Sequence, residues 1–343
     1  MSIRLGLVGA TGVVGDVVLR LLEERRFPVG DLRLFASRRS AGQRIAWSGR
    51  QLEVEALEDA DLGGLDVVIS SIDSSVAREW VPRIVEAGAV VIDNSSAFRQ
   101  DPDVPLVIPE INGRALRSHR GIVANPNCTT ATALMALAPL HREAGLRAVI
   151  SSSYQSVSGT GKEAVAELLD QARKAVDQVE ALYGHEPLDV PPPQVYRHPL
   201  AFNLFPQCET FPPGADASTE EEKMALETRK ILEAPDVEVH ATAVRVPVLV
   251  GHSVSLAVSL GREVTPDRAR SLIDAFPGAR VLDDPQEAVY PTPLGSAGLD
   301  DVLVGRIRTN PILRNGLSLF VSGDNLRKGA ALNAVQIAEL LVG

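Results

Sequence analysis

Ile3-Arg4-Leu5-Gly6-Leu7-Val8-Gly9-Ala10-Thr11-Gly12-Val13-Val14-Gly15 is the stretch on which the fold turns. Its first half is a short apolar run ended by glycine, and Val13 to Glu24 repeats apolar residues at helical spacing. The stretch therefore reads as strand, tight turn and helix. Glycines at such a turn let backbone N–H groups approach a pyrophosphate, whose charge the helix N-terminus favours. The expected ligand is a dinucleotide held by Gly9, Thr11, Gly12, Val13 and Val14. A glycine-rich turn without a ligand has the same spacing, so the reading leans on the strand before it and the helix after it.

Working outward, further strands are expected at Leu32 to Ala36, around Asp66 to Ile72 and at Ala89 to Asp93, alternating with helical segments such as Ser75 to Ala87. Such alternation predicts a Rossmann-type α/β unit, a parallel sheet with helices on both faces. After Asn125 the pattern changes. A helix is expected from Cys128 through Ala138, a strand from Arg147 to Gln155, and helices at Gly161 to Tyr183 and Thr219 to Leu232. Strands follow at Val237 to Pro247, Val254 to Gly261 and Val302 to Arg308, then an amphipathic helix from Ala330 to Leu341. Pro187 to Pro213 holds eight prolines and reads as an extended, irregular connection.

The chain has 343 residues, long enough to favour two domains. With 34 basic and 44 acidic residues its net charge is −10, which argues against a nucleic-acid binder. Its most apolar long stretch, Ala241 to Leu260, contains Arg245, Pro247, Gly251 and His252, so it reads as two buried strands around a turn rather than a membrane span. The N-terminus has Asp16 where a signal peptide needs apolar residues. Cys128 and Cys208 suit neither a disulfide framework nor a metal site. The expectation is a soluble, cytoplasmic, metal-free protein.

Two further motifs carry chemistry. Beyond the second strand, Ala36-Ser37-Arg38-Arg39-Ser40-Ala41-Gly42 has no acid to accept a ribose hydroxyl, and none occurs between Leu32 and Arg50. Ser37, Arg39 and Ser40 instead suit a 2′-phosphate, so the expected cofactor is NADP; two solvated surface arginines are the plain alternative. Asn125-Pro126-Asn127-Cys128-Thr129-Thr130 sets a thiol at the start of an apolar helix. Free N–H groups and the dipole there would lower its pKa and make Cys128 a nucleophile, against the alternative of a buried structural cysteine. Cys208 is read as structural.

That string, followed by Ser153-Tyr154-Gln155-Ser156-Val157-Ser158-Gly159, by Arg245-Val246-Pro247-Val248 with Gly251-His252-Ser253, and by Gly323-Asp324-Asn325-Leu326-Arg327-Lys328-Gly329, resembles bacterial aspartate-semialdehyde dehydrogenase. The likeness runs in motif order from Gly9 to Asn333. It implies an NADP-binding domain of residues 1–127 completed by a C-terminal helix at 326–343, and an α+β catalytic and dimerisation domain at 128–325. It also implies reversible reductive dephosphorylation of L-aspartyl 4-phosphate to L-aspartate 4-semialdehyde and phosphate, on the route to lysine, threonine and methionine, by a homodimer.

Carried over by motif, the resemblance makes Cys128 the nucleophile, Gln155 an orienter of the acyl group and His252 the proton-transfer group. Arg245 would grip the α-carboxylate and Glu220 the α-ammonium. Lys223 and Arg99, with Asn127, would meet the phosphate. Ser158, Gly159 and Asn325 fall on the cofactor side. At Ile69-Ser70-Ser71-Ile72-Asp73 the chain departs from the family's usual Phe-Ser-Ala-Gly-Gly, a loop beside the cofactor. Two alternatives stay open: an N-acetyl-γ-glutamyl-phosphate reductase, for which a carboxylate facing an ammonium would be pointless, and a non-catalytic NADP-binding homologue.

Overall fold

The computed structural model describes residues 2–184, 186 and 188–343, so Pro187 at the head of the proline-rich connection lies outside the described residues. The N-terminal sheet contains β1 (Ile3–Val8), β2 (Val29–Ala36), β3 (Arg44–Trp47), β4 (Arg50–Ala56), β5 (Val67–Ser70), β6 (Val90–Asp93) and β7 (Ile122–Ala124). Their order is β3-β4-β2-β1-β5-β6-β7, parallel throughout except where β3 meets β4. Helices α1 (Val13–Glu24), α2 (Ser74–Glu86) and the short α3 (Pro109–Asn112) connect them. The order reverses at β1, which has β2 on one side and β5 on the other. A crevice opens at the carboxyl ends of strands at such a reversal. The β3–β4 pair and β7 were not anticipated.

The second half contains α4 (Cys128–Ala144), β8 (Leu146–Gln155), α5 (Lys162–Ala175), α6 (Val179–Tyr183), α7 (Thr219–Ile231), β9 (Glu238–Arg245) and β10 (His252–Leu260). Then come α8 (Pro266–Asp274), β11 (Ala279–Val281), α9 (Pro293–Ser296), β12 (Val302–Asn310) and β13 (Gly316–Gly323). The sheet order is β11-β12-β13-β10-β8-β9. The two strands read in Ala241 to Leu260 are present, but they do not form a hairpin: β8 lies between them, parallel to β9 and antiparallel to β10. Helix α4 runs on to Ala144 with Pro139 inside it, because burial against β10, β13 and α8 outweighs the missing N–H. The unanticipated β13, bounded by glycines, is nearly all buried because it is central in its sheet.

One hydrophobic cluster joins α4, α7 and α8 to the inner face of this second sheet through Leu134, Met224, Ile273 and Leu256. Another joins Leu5, Val18 and Leu22 of the first sheet's layer to Leu332, Val335 and Ile337. The latter belong to α10 (Leu332–Val342), which follows a π turn at Arg327–Ala331 and returns to the N-terminal sheet. Among the described residues no helix is long and apolar enough to cross a membrane.

Candidate active site

Strand register gathers the site. Gln155 ends β8 directly opposite Arg245, which ends β9, and His252 starts β10 opposite Gly323 at the end of β13. Facing this sheet edge are the N-termini of α4, with Cys128, and of α7, with Glu220. Cys128, Asn127, Gln155, Glu220, Arg245 and His252 line one cavity of about 730 Å³. Cys128 and Asn127 also line a cleft of about 760 Å³ that reaches back past Arg99 and Lys223 to the glycine turn. The nucleophile candidate therefore stands where the two meet.

Asn127 holds Cys128 in place. Its Oδ1 accepts from the N–H groups of Thr129 and Thr130 at 2.9 and 3.0 Å, capping α4, and its Nδ2 donates to Glu220 Oε1 at 2.9 Å. On the other side the π turn brings Gly329 so close that a Cβ there would lie 2.8 Å from Cys128 Cβ. Burial corrects the expectation of a low thiol pKa. Asn127 has taken the amides that were to stabilise a thiolate, and burial, with Glu220 nearby, pushes the Cys128 thiol up to about 12 against the pull of Arg99 and Arg245. The resting thiol is protonated.

His252 is fully buried, and burial together with the Arg245 charge brings its pKa down to about 3. Its Nδ1 accepts the backbone N–H of Ser156 at 3.1 Å, so the ring proton sits on Nε2. Nε2 is buried without a hydrogen-bond partner among the described residues. At rest the ring is thus a donor into the cavity rather than a base. Arg245 Nη1 donates to Ser156 O at 2.6 Å while its Nε is buried without a partner among the described residues, and its guanidinium lies over the Tyr196 ring at 5.6 Å.

Three carboxylates organise the cationic side. Glu220, 5% exposed, accepts from Gln155 Nε2 and Asn127 Nδ2, both at 2.9 Å, so it orients the residues read as substrate contacts. Glu227 went unread in the sequence. Fully buried, two helical turns beyond Glu220, it accepts from Arg99 Nη1 at 3.0 Å and from the Asn127 backbone N–H at 2.6 Å. Burial pushes its pKa up while Arg99 opposes. Helix periodicity from Glu220 was the signal that would have found it. Glu209, from the proline-rich connection, pairs with Lys223 and lines both cavities. Glu221 closes a capping box with Ser218.

The cleft fits a dinucleotide. Gly9 has φ +83°, and a Cβ there would run into the backbone of Ser71. Gly9, Thr11, Gly12, Val13 and Val14 line the near end, with Ser37 and Arg39 beyond the end of β2. Ser40 does not line it; its Oγ lies 3.5 Å from Thr11 Oγ1. Arg38 is spent on Asp59, at 2.6 and 3.1 Å. At the far end Ser158, Gly159 and Asn325 line the wall. Asn325 accepts from Gly251 N at 2.8 Å and from Ser156 Oγ at 3.0 Å. Asp73, the departure from the family pattern, also faces the cleft. So does Lys162, unread in the sequence, which donates to Thr11 O at 2.8 Å and spans the cleft from α5.

Comparison with known proteins agrees with this geometry. The family models described as semialdehyde dehydrogenase, NAD binding domain, and semialdehyde dehydrogenase, dimerisation domain, match residues 4–119 and 137–328. The aspartate-semialdehyde dehydrogenase of Mycolicibacterium smegmatis is 47% identical over 99% of both chains, and that of Streptomyces akiyoshiensis 48% identical over 98% of both. Among solved structures, aspartate semialdehyde dehydrogenase II from Vibrio cholerae superposes with a TM-score of 0.92 at 38% identity, covering 100% of this chain and 99% of its own. The same enzyme has been solved complexed with ASA, again at a TM-score of 0.92, with 98% of its chain covered. These relatives bear the activity first inferred, not that of the acetylglutamyl-phosphate enzyme. A nucleotide-binding domain, a dimerisation domain and a cysteine-centred cavity between them all point one way: the chain belongs to the aspartate-semialdehyde dehydrogenase family of oxidoreductases.

Proposed function

We propose that this chain interconverts L-aspartyl 4-phosphate and L-aspartate 4-semialdehyde with NADP as cofactor and inorganic phosphate as co-substrate, through a thioester on Cys128. The observation that carries the reading is Cys128 at the junction of the two cavities, with Gln155, Arg245 and His252 around one and the glycine turn ending the other.

In the reductive direction the Cys128 sulfur attacks the acyl carbon and phosphate leaves, its thiol proton passing with the departing phosphate. NADP in its reduced form supplies the hydride when bound. His252 Nε2–H then faces the oxygen on which charge develops and stabilises it by hydrogen bonding; the adduct collapses to aldehyde and the Cys128 thiolate, which takes a proton from solvent to restore the thiol. Arg245 meets the α-carboxylate through the unpartnered Nε and the free part of its fork. Glu220 receives the α-ammonium, and Lys223 and Arg99, on the cofactor side of Cys128, meet the phosphate. Asn127 and Gln155 keep this arrangement in place through their bonds to Glu220.

We read the domain limits as 1–127 with 326–343, and 128–325; the first is supported by a cluster under the first sheet drawn wholly from those two segments, while the cluster under the second sheet also takes in Val104, Leu106, Ile108 and Ala124. A homodimer is supported by the dimerisation-domain match and by the outer face of the second sheet, where Ile150, 49% exposed, shares its face with the Tyr154–Phe320 pair. A cytoplasmic setting suits a thiol nucleophile that must stay reduced. The deciding assay is NADP reduction with aspartate semialdehyde, with and without phosphate. Phosphate-dependent reduction is expected; turnover with N-acetylglutamate semialdehyde alone would overturn the substrate assignment.

A further inference from the structure

The lysine read as a phosphate ligand is not waiting as a bare cation. Lys223 Nζ donates to Glu209 Oε2, and Glu220 Oε2 lies 3.7 Å away on its own helix. The two carboxylates are held very differently. Glu220 is 5% exposed and bound by Asn127 and Gln155. Glu209 has a side chain 47% exposed, and among the described residues its carboxylate takes, besides Lys223, only Thr219 Oγ1, at 2.9 Å. Its backbone is left-handed, φ +60°, a conformation that costs a glutamate energy and turns its side chain toward the site. Gln207 Nε2 donates to Glu209 O at 3.0 Å, bracing that turn. The carboxylate stays ionised: burial raises its pKa, but Lys223, Thr219 and Arg99 together bring it below the ordinary glutamate value.

A dianionic phosphate approaching Lys223 and Arg99 therefore meets a carboxylate already in its place. Only one of the two anions can hold Lys223 closely, since like charges at such a distance repel. Glu209 is the one free to leave, because water can solvate it when it swings out, whereas Glu220 has no such exit. We propose that Glu209 is a resident counter-anion that occupies Lys223 in the free enzyme, is displaced from it by the phosphate of the substrate, and thereby sets the affinity for phosphate. The proposal rests on placing Lys223 at the phosphate end. Its consequence is directional: recapture of Lys223 by Glu209 helps inorganic phosphate depart after acyl-phosphate cleavage, at the expense of weaker phosphate binding in the opposite direction.

The test is steady-state kinetics of the full-length enzyme in the oxidative direction, varying inorganic phosphate at saturating aldehyde and cofactor. Glu209→Gln should lower the phosphate KM by about twofold to fivefold, the range for a half-exposed ion pair, with a smaller effect on the aldehyde KM. Inhibition by phosphate in the reductive direction should tighten by a similar factor. Glu209→Asp keeps the charge on a left-handed backbone that aspartate tolerates, so its phosphate KM should stay nearer wild type. In the Lys223→Ala background, Glu209→Gln should lose most of its effect. An unchanged or raised phosphate KM in Glu209→Gln, with Lys223→Ala raising it, would overturn the displacement while leaving the phosphate site standing. A phosphate KM indifferent to Lys223→Ala would remove both.

Discussion

The backbone N–H of Ser156 points at His252 Nδ1 from 3.1 Å, which fixes the tautomer of a fully buried ring and leaves its proton on Nε2. The contact makes His252 a donor at rest, and its depressed pKa makes acid costly for the fold. Below the ordinary histidine value of 6.5 the unfolded chain takes up a proton that the folded ring, with a pKa of about 3, refuses. The stabilisation is complete above the unfolded value and is lost as pH falls toward the folded one. On the order of 3 kcal/mol should disappear from this group by pH 4. Denaturant midpoints between pH 4 and 7 should show a shallower slope in His252→Gln.

The thiol supplies a second outcome. With Cys128 pushed up to about 12, its alkylation rate should climb about tenfold per pH unit from pH 6 to 9 without levelling, because the thiolate is the reacting species. Cys208, also raised to about 12 and buried, should react far more slowly because reagent cannot reach it. A plateau near neutrality would mean that the cap on Asn127 does not exclude helix amides from the sulfur.

Cofactor choice separates two adjacent arginines. Arg39 faces the cleft while Arg38 is held by Asp59. Arg39→Ala should weaken NADP binding by about tenfold to a hundredfold, the value of one charge-assisted hydrogen bond, with little effect on NAD. Arg38→Ala should stay within about twofold, as expected for an exposed ion pair. Equilibrium titration of both variants with both nucleotides checks this.

Glu227 joins the phosphate side to the nucleophile's helix. Glu227→Ala strands the buried Arg99 guanidinium and the Asn127 N–H together, and should cost about 3 kcal/mol or more in chemical denaturation. Glu227→Gln still accepts from Asn127 and should lose less. Equal losses in the two variants would assign the effect to the lost charge beside Arg99 alone.

The cofactor half was legible in the sequence because its signals are local. Gly9 to Gly15 sits between a run that can only be a strand and a period that can only be a helix, and parallel strands β5 and β6 read as apolar runs because both faces are covered. Cys128, Gln155, Arg245 and His252 stood in short motifs, so resemblance reached them. What sequence could not supply was what surrounds each group. The Thr129 and Thr130 amides at the head of the helix go to Asn127 Oδ1, and the resting state of His252 depends on a backbone N–H from another strand's end.

Glu227 and Glu209 escaped reading for the same reason. A glutamate on a helix or in a proline-rich connection is ordinarily solvated, and only the packing of α7 against α4 and the left-handed turn at Glu209 bring these two to Arg99 and Lys223. Residue identity along the chain determined the fold class, the glycine turn and the candidate reacting side chains, since each follows from local period or motif. Protonation, pairing and access were decided by tertiary structure alone, because desolvation and Coulomb interactions act through space between segments as far apart as Arg99 and Glu227.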